Sequence, residues 1–135
     1  MLLENLDLYG SAFLATIQLF LVAAIGSLVV GTLLAAMRVS PVPVLRSFGA
    51  LYVNTFRNTP LTLVLFFFAF AYPRLALVDL SFFARASAGL ILYTAAFVCE
   101  VVRSGVNTVP TGQAEAARAL GFTFSQTLSQ IVLPQ

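Results

Sequence analysis

The chain has 135 residues, 60% of them apolar and 9% charged, with 13 Phe, no Trp and no His. Soluble domains carry about 25% charged residues, and one of this size buries only roughly two-thirds of its surface, so so much apolar side chain places the protein in a membrane. A formal net charge of +2, spread along the chain, excludes nucleic acid as the partner, and one Cys without any His excludes a disulfide framework or a metal cluster.

Met1 to Gly10 carries Glu4 and Asp7 but no Lys or Arg, so the basic start of a cleavable signal is missing. Leu8 to Met37 then holds no charge over 30 residues. That is about 45 Å of helix against a hydrocarbon core of roughly 30 Å, which predicts a first span at about 8–37 with its start in the interface. Gly26 and Gly31 lie within it, where small residues let a second helix approach.

The first connection runs from Arg38 to Arg57, and "SPVP" (Ser40 to Pro43) stops the first helix. Leu45, Phe48, Leu51, Tyr52 and Phe56 recur at helical spacing, which reads either as an amphipathic interfacial helix or as an early start to the next span. "RNTPL" (Arg57 to Leu61) marks a helix start, with Thr59 as cap and Pro60 in the first helical position. A second span at about 53–73 reaches full length only by joining the turn before Pro60 to the run from Leu61 to Tyr72.

The second connection, Arg74 to Arg85, contains Asp79, and a third span is predicted at about 87–106. Cys99 reads as a small buried hydrophobe there. Five arginines (Arg38, Arg46, Arg57, Arg103 and Arg118) flank one side of these spans and two (Arg74 and Arg85) the other, which places the N-terminus outside and the tail in the cytoplasm.

The tail, 110–134, is too short and polar to cross a membrane. Pro110 and Thr111 open it as a turn and cap, and "QAEAARAL" is a strong helix former. Gly121 supplies the left-handed residue that ends such a helix. Thr123 and Gln126 have capping-box spacing, followed by an apolar face of Phe124, Leu128, Ile131 and Val132. Two short helices bent around a glycine are predicted. Lipid-bound helices carry several basic residues on the polar face. This tail has only Arg118, opposed by Glu115, and its Ala116, Ala117 and Ala119 surface suits a protein groove better.

"EAARALGFTFSQTLSQIVLP" resembles the signature loop of the membrane subunits of binding-protein-dependent ABC importers, matching it at Glu115, Ala116, Ala117, Gly121, Ile131, Leu133 and Pro134. "YVNTFRNTPLTLVLFFFAF" and "CEVVRSGVNTVPTGQAEAARALG" are similar to the polar amino-acid branch, with Arg57, Thr59, Pro60 and Leu61 as its Arg-x-Thr-Pro-Leu core. Together with "MRVSPVPVLRSF", the second of these looks most like the permeases for glutamate and related amino acids of high-GC Gram-positive bacteria. The resemblance implies an all-α integral membrane fold: three transmembrane helices plus a cytoplasmic coupling-helix hairpin, the N-terminal part of a five-helix type I ABC importer permease. Members of the family continue past the Leu-Pro with two more spans, so the resemblance implies that this chain is truncated at its C-terminal end, as a shortened gene product, a fragment or part of a longer protein.

The resemblance also implies a bacterial cell-membrane protein with three partners: a cytoplasmic ATPase that holds the ATP and Mg, a second permease subunit and an extracellular amino-acid-binding protein. ATPase docking would fall to Glu115, Ala116, Ala117, Leu120, Gly121 and Phe122. No cofactor is expected in this chain, and no nucleotide-binding Gly-rich loop with Lys occurs in it.

Glu100 and Arg103, three residues apart on one helix face, are candidates for the substrate pathway. An Arg can grip an amino-acid carboxylate bidentately. Both could instead lie near the interface and snorkel. Thr59 is the third pathway candidate, although with Arg57 and Asn58 it also reads as a helix-start device, and Tyr93 and Thr94 are further lining candidates. An enzyme finds no support in a chain without His or a carboxylate pair. A helical scaffold or channel subunit accounts for the composition but not for the tail.

Overall fold

A computed structural model describes residues 6–75, 78–132 and 134. Helix α1, Leu6–Val39, spans 34 residues and α4, Phe82–Thr108, spans 27; among the described residues these two are long and apolar enough to cross a membrane. Phe13, Phe20, Ile25, Leu28 and Leu33 stand exposed around α1. A helix apolar on every side is at home in lipid, where all its backbone groups are satisfied internally. Helix α4 starts at Ser81, whose hydroxyl accepts the Ala84 N–H at 3.2 Å.

The two long helices run parallel and close together. Gly26 lies against Ile91, Gly31 against Ala95 and Val98, and Arg38 reaches Glu100. The buried stripe of α1 is Ala23, Ser27, Gly31, Leu34 and Ala35, mostly small residues at three- and four-residue steps. In lipid no hydrophobic force joins apolar helices, so close backbone approach and the van der Waals contact it permits do so. The core is Leu34, Ala35, Val53, Ala95, Ala96 and Cys99, and the Cys99 thiol is free and buried, as its place in an apolar run implies.

Two parallel helices need a return between them. Helix α2, Pro43–Arg57, begins with Pro at its first position and packs on both long helices through buried Gly49 and Val53. A Cβ on Gly49 would lie 2.8 Å from Arg38 Cγ. The packing face therefore takes only part of the apolar set picked out by spacing: Phe48 and Leu51 point outward, while Tyr52 and Phe56 are half-buried against the core. The Tyr52 hydroxyl donates to the Leu92 carbonyl at 2.7 Å.

Helix α3, Leu61–Phe66, continues as a wide π turn, Phe67–Ala71, and a tight 3-10 turn, Tyr72–Leu75. Here the predicted cap is corrected. Pro60, not Thr59, occupies the cap position, with extended φ −60° and ψ 135°, and Leu61 is the first helical residue. The N–H groups of Asn58 and Thr59 bond back to Asn54 and Phe56 and finish α2, and the Thr59 hydroxyl donates to the Thr55 carbonyl at 2.7 Å. A residue before proline is pushed out of the helical region, so the chain closes one helix before opening the next. The segment at 53–73 is thus two helices with a break at 58–60. Helix α3 and its π turn pack on the N-terminal half of α4, with Leu65 and Phe68 on Gly89, and the Ala69 carbonyl accepts from Arg85 at 3.5 Å.

Candidate functional site

Two features stand out: an ion cluster where α1, α2 and α4 meet, and a hairpin beyond α4. Glu100 is the hub of the cluster. Arg38 at the end of α1 bonds to its Oε1 through Nη1, Arg103 Nη2 lies 3.4 Å from Oε2, and Arg57 Nη1 lies 3.9 Å from Oε1. The side chains are graded in exposure: Arg38 14%, Glu100 24%, Arg103 37% and Arg57 47%. Arg38 is therefore the principal partner, since its pair is both the shortest and the least hydrated, whereas an exposed pair at Arg57's distance contributes little. The Arg57 guanidinium lies over the Phe97 ring at 5.9 Å.

The expected pair of Glu100 and Arg103 is formed, but it is the minor part of the cluster. Sequence reading missed Arg38, assigned to a connection, and took Arg57 for a boundary device. A signal existed: a carboxylate inside a span demands a cation at its own depth, and Arg38 closes the neighbouring span. Thr59, the third pathway candidate, bonds back to the last turn of α2 and lines an apolar pocket of about 350 Å³ with Thr55, Phe67 and Leu92 at the break between α2 and α3. Thr94 lines a different groove, between α1 and α4, and Tyr93 packs its ring on Phe97 at 5.1 Å.

The hairpin begins after Val109 and Pro110, both extended. Helix α5, Thr111–Ala119, has Pro110 at its cap and no side-chain cap bond. It ends through backbone bonds alone: Phe122 N–H donates to the Ala117 carbonyl at 3.1 Å and Gly121 N–H to the Arg118 carbonyl at 2.9 Å. Gly121 has φ +86°, the left-handed geometry this double closure needs. Helix α6, Phe124–Thr127, continues into a π turn, Leu128–Val132. Its capping box is complete, with Gln126 N–H to the Thr123 hydroxyl at 3.3 Å and Thr123 N–H to Gln126 Oε1 at 2.9 Å.

Ala117 is buried and Phe122 half-buried between the arms. Glu115, Ala116 and Gly121 are exposed, and Leu120 stands 80% exposed at the tip. Gln113, Ala116, Leu120, Phe122, Gln130 and Ile131 border one mostly apolar groove of about 380 Å³. Leu133 of the signature and the side chain of Phe124 lie outside the described residues.

Comparison with known proteins bears on both features. The family model described as the binding-protein-dependent transport system inner membrane component matches residues 27–135. The glutamate transport system permease protein GluC of Corynebacterium efficiens is 53% identical over 135 residues, covering 92% of this chain and 59% of that protein. The probable glutamine ABC transporter permease protein GlnM of Bacillus subtilis is 40% identical, covering 99% of this chain and 62% of that protein. A solved structure, the crystal structure of an amino acid ABC transporter with histidines, superposes with a TM-score of 0.87 at 25% identity, covering 99% of this chain and 62% of that one. The chain spans about three-fifths of the length of these relatives. Its helices are arranged as the N-terminal part of a type I ABC permease, and with four-fifths of its length inside the family model the chain belongs to the binding-protein-dependent transport system inner membrane components.

Proposed function

We propose that the chain forms part of the membrane subunit of an ATP-driven importer of polar amino acids, with glutamate, the cargo named for the Corynebacterium relative, as its substrate. The chain itself is no enzyme on this reading. A cytoplasmic ATPase holds the ATP and Mg and hydrolyses the nucleotide. A second permease subunit completes the pathway, and an extracellular binding protein delivers the amino acid. The N-terminus is outside the bacterial cell membrane and the hairpin inside, in keeping with the arginine count. Glu115, Ala116, Ala117, Leu120, Gly121 and Phe122 dock the ATPase, and Glu100, Arg103 and Thr59 belong to the pathway.

The observation that carries this reading is the hairpin. A surface of small side chains and one exposed Leu120, held by the Gly121 closure and the Thr123–Gln126 box, is a compact knob on the end of a spanning helix. Such a knob transmits motion only when it sits in a fitted cleft. The test is co-purification of the permease with its ATPase from membranes. Gly121→Arg and Glu115→Lys are each expected to lower the recovered ATPase at unchanged permease level. ATPase recovered in full from both variants would favour a scaffold or channel subunit instead.

A further inference from the structure

We propose that Asp79 and Arg85 form an outer binding site for the α-ammonium and α-carboxylate groups that all amino acids share. The proposal rests on the importer reading above and deepens it by adding a first binding step at the outer mouth, one that holds the backbone of the cargo and leaves its side chain unread.

Place is the first argument. Tyr72, Pro73, Val78, Asp79, Leu80 and Arg85 border a cavity of about 340 Å³, within the size range of small-molecule pockets. Arg85 precedes Glu100 on α4 by about 22 Å of helix, so this cavity is remote from the ion cluster and from the hairpin. Helix α4 runs parallel to α1, so with the N-terminus outside its first turn also lies outside. One wall is irregular backbone, because the π turn Phe67–Ala71 gives way there to the 3-10 turn Tyr72–Leu75. Non-helical backbone in a membrane bundle is tolerated where it is buried in protein or lines a wet cavity.

Unpaired charge is the second argument. Asp79 and Arg85 border the same cavity without pairing to each other, and among the described residues neither has an ionic partner. Arg85 has five N–H donors. It spends one on the Ala69 carbonyl at 3.5 Å, beyond the usual hydrogen-bond range. Its Nε is buried without a partner, and Phe82 lies 5.8 Å from the guanidinium carbon. A second cavity beside Arg85 is walled by Leu65, Phe66, Phe68 and Phe82 and offers no counter-charge. A buried donor left unpaired is costly, and the planar edge of a guanidinium matches a carboxylate.

The chemistry of the ligand follows. A simple anion, or the phosphate of an acidic lipid, would satisfy Arg85 but meet the Asp79 carboxylate. A simple cation would satisfy Asp79 but meet Arg85. A small molecule that carries an ammonium and a carboxylate on one carbon answers both charges at once.

The experiment uses the full-length permease with its ATPase in lipid nanodiscs, without the binding protein, and with Val78→Cys as the one cysteine. Val78 is exposed and borders the cavity, so the rate of maleimide labelling there reads its occupancy. Half-protecting concentrations are measured for glutamate, for glutarate, which lacks the ammonium, and for 4-aminobutyrate, which lacks the α-carboxylate. Glutamate is expected to protect at about tenfold lower concentration than either analogue, equivalent to about 1.4 kcal/mol. Asp79→Asn is expected to erase the preference over glutarate and keep that over 4-aminobutyrate. Arg85→Gln is expected to do the reverse. Packing damage would weaken all three ligands alike and does not produce this crossed pattern. No protection by glutamate, equal protection by all three, or an equal loss of all three in either variant overturns the proposal; a lipid head group seated in the cavity would give the first of these. ATP-driven glutamate uptake by the same complex with its binding protein, in proteoliposomes, checks the importer reading separately. Uptake without the crossed pattern sinks this proposal alone, whereas no uptake sinks the importer reading and the proposal with it.

Discussion

Gly31 and Gly26 face the same partner helix but differ in what a side chain would meet. A Cβ on Gly31 would sit 2.6 Å from Val98 and 2.9 Å from the Ala95 carbonyl, a backbone atom that cannot step aside. On Gly26 it would meet only side-chain atoms, Cδ1 and Cγ1 of Ile91, which have more room to shift than a backbone carbonyl. Gly31→Ala is therefore expected to destabilise the bundle by about 1–3 kcal/mol and Gly26→Ala by clearly less, read as thermal unfolding in detergent. Glu100→Gln tests the cluster at the same scale. It strips Arg38, 14% exposed, of its counter-charge, and breaking such a pair from one side is expected to cost roughly 2 kcal/mol or more, seen as a lower midpoint in the same assay. The pair of Glu100 and Arg103 was open to sequence reading because both sit on one helix turn. The bond of Arg38 to Glu100 joins residues 62 apart and leaves no local pattern. Only the energetic rule that a buried charge needs a partner pointed toward it.

At the scale of elements, local signals and observed structure agree where the deciding interactions are local. The 30-residue uncharged run became α1, the Thr123 and Gln126 spacing became a closed box, and Gly121 took the left-handed conformation. Gly121→Ala is expected to cost about 1 kcal/mol. The loss should appear as roughly fivefold faster amide exchange across 111–132, with exchange in α4 unchanged. The region before α4 was less legible. Proline excludes two geometries at once, its own N–H bond and the helical state of the residue before it, and the sequence does not say which neighbour yields. The structure resolves this by spending Thr59 on α2 and starting α3 at Leu61. Nor could the inward face of α2 be read in full from apolar spacing, because beside Tyr52 and Phe56 it includes Gly49, where α1 leaves no room for a side chain. Gly49→Leu is accordingly expected to lower the unfolding midpoint more than Leu51→Ala, although it adds apolar surface.

For the whole molecule, sidedness is the property most open to test. In a Cys99→Ser background, Asp7→Cys is expected to react with a membrane-impermeant maleimide in intact protoplasts, and Gly112→Cys only after permeabilisation. The reverse pattern would place the hairpin outside, where no nucleotide-driven partner could reach it. The broad apolar exterior of α1, with Phe13, Phe20, Ile25 and Leu33 uncovered, has the same meaning at this scale: lipid or other membrane helices cover it, not water.

The two extended residues between α4 and α5 carry one more consequence. Val109 and Pro110 join α5 to α4 through two extended residues, and α4 runs unbroken from Thr108 back through Glu100. A pull on the hairpin along the chain would act on a stiff lever arm of about 12 Å that ends where α1 and α2 are clasped to it. Loosening the charged clasp is therefore expected to blunt what the hairpin senses.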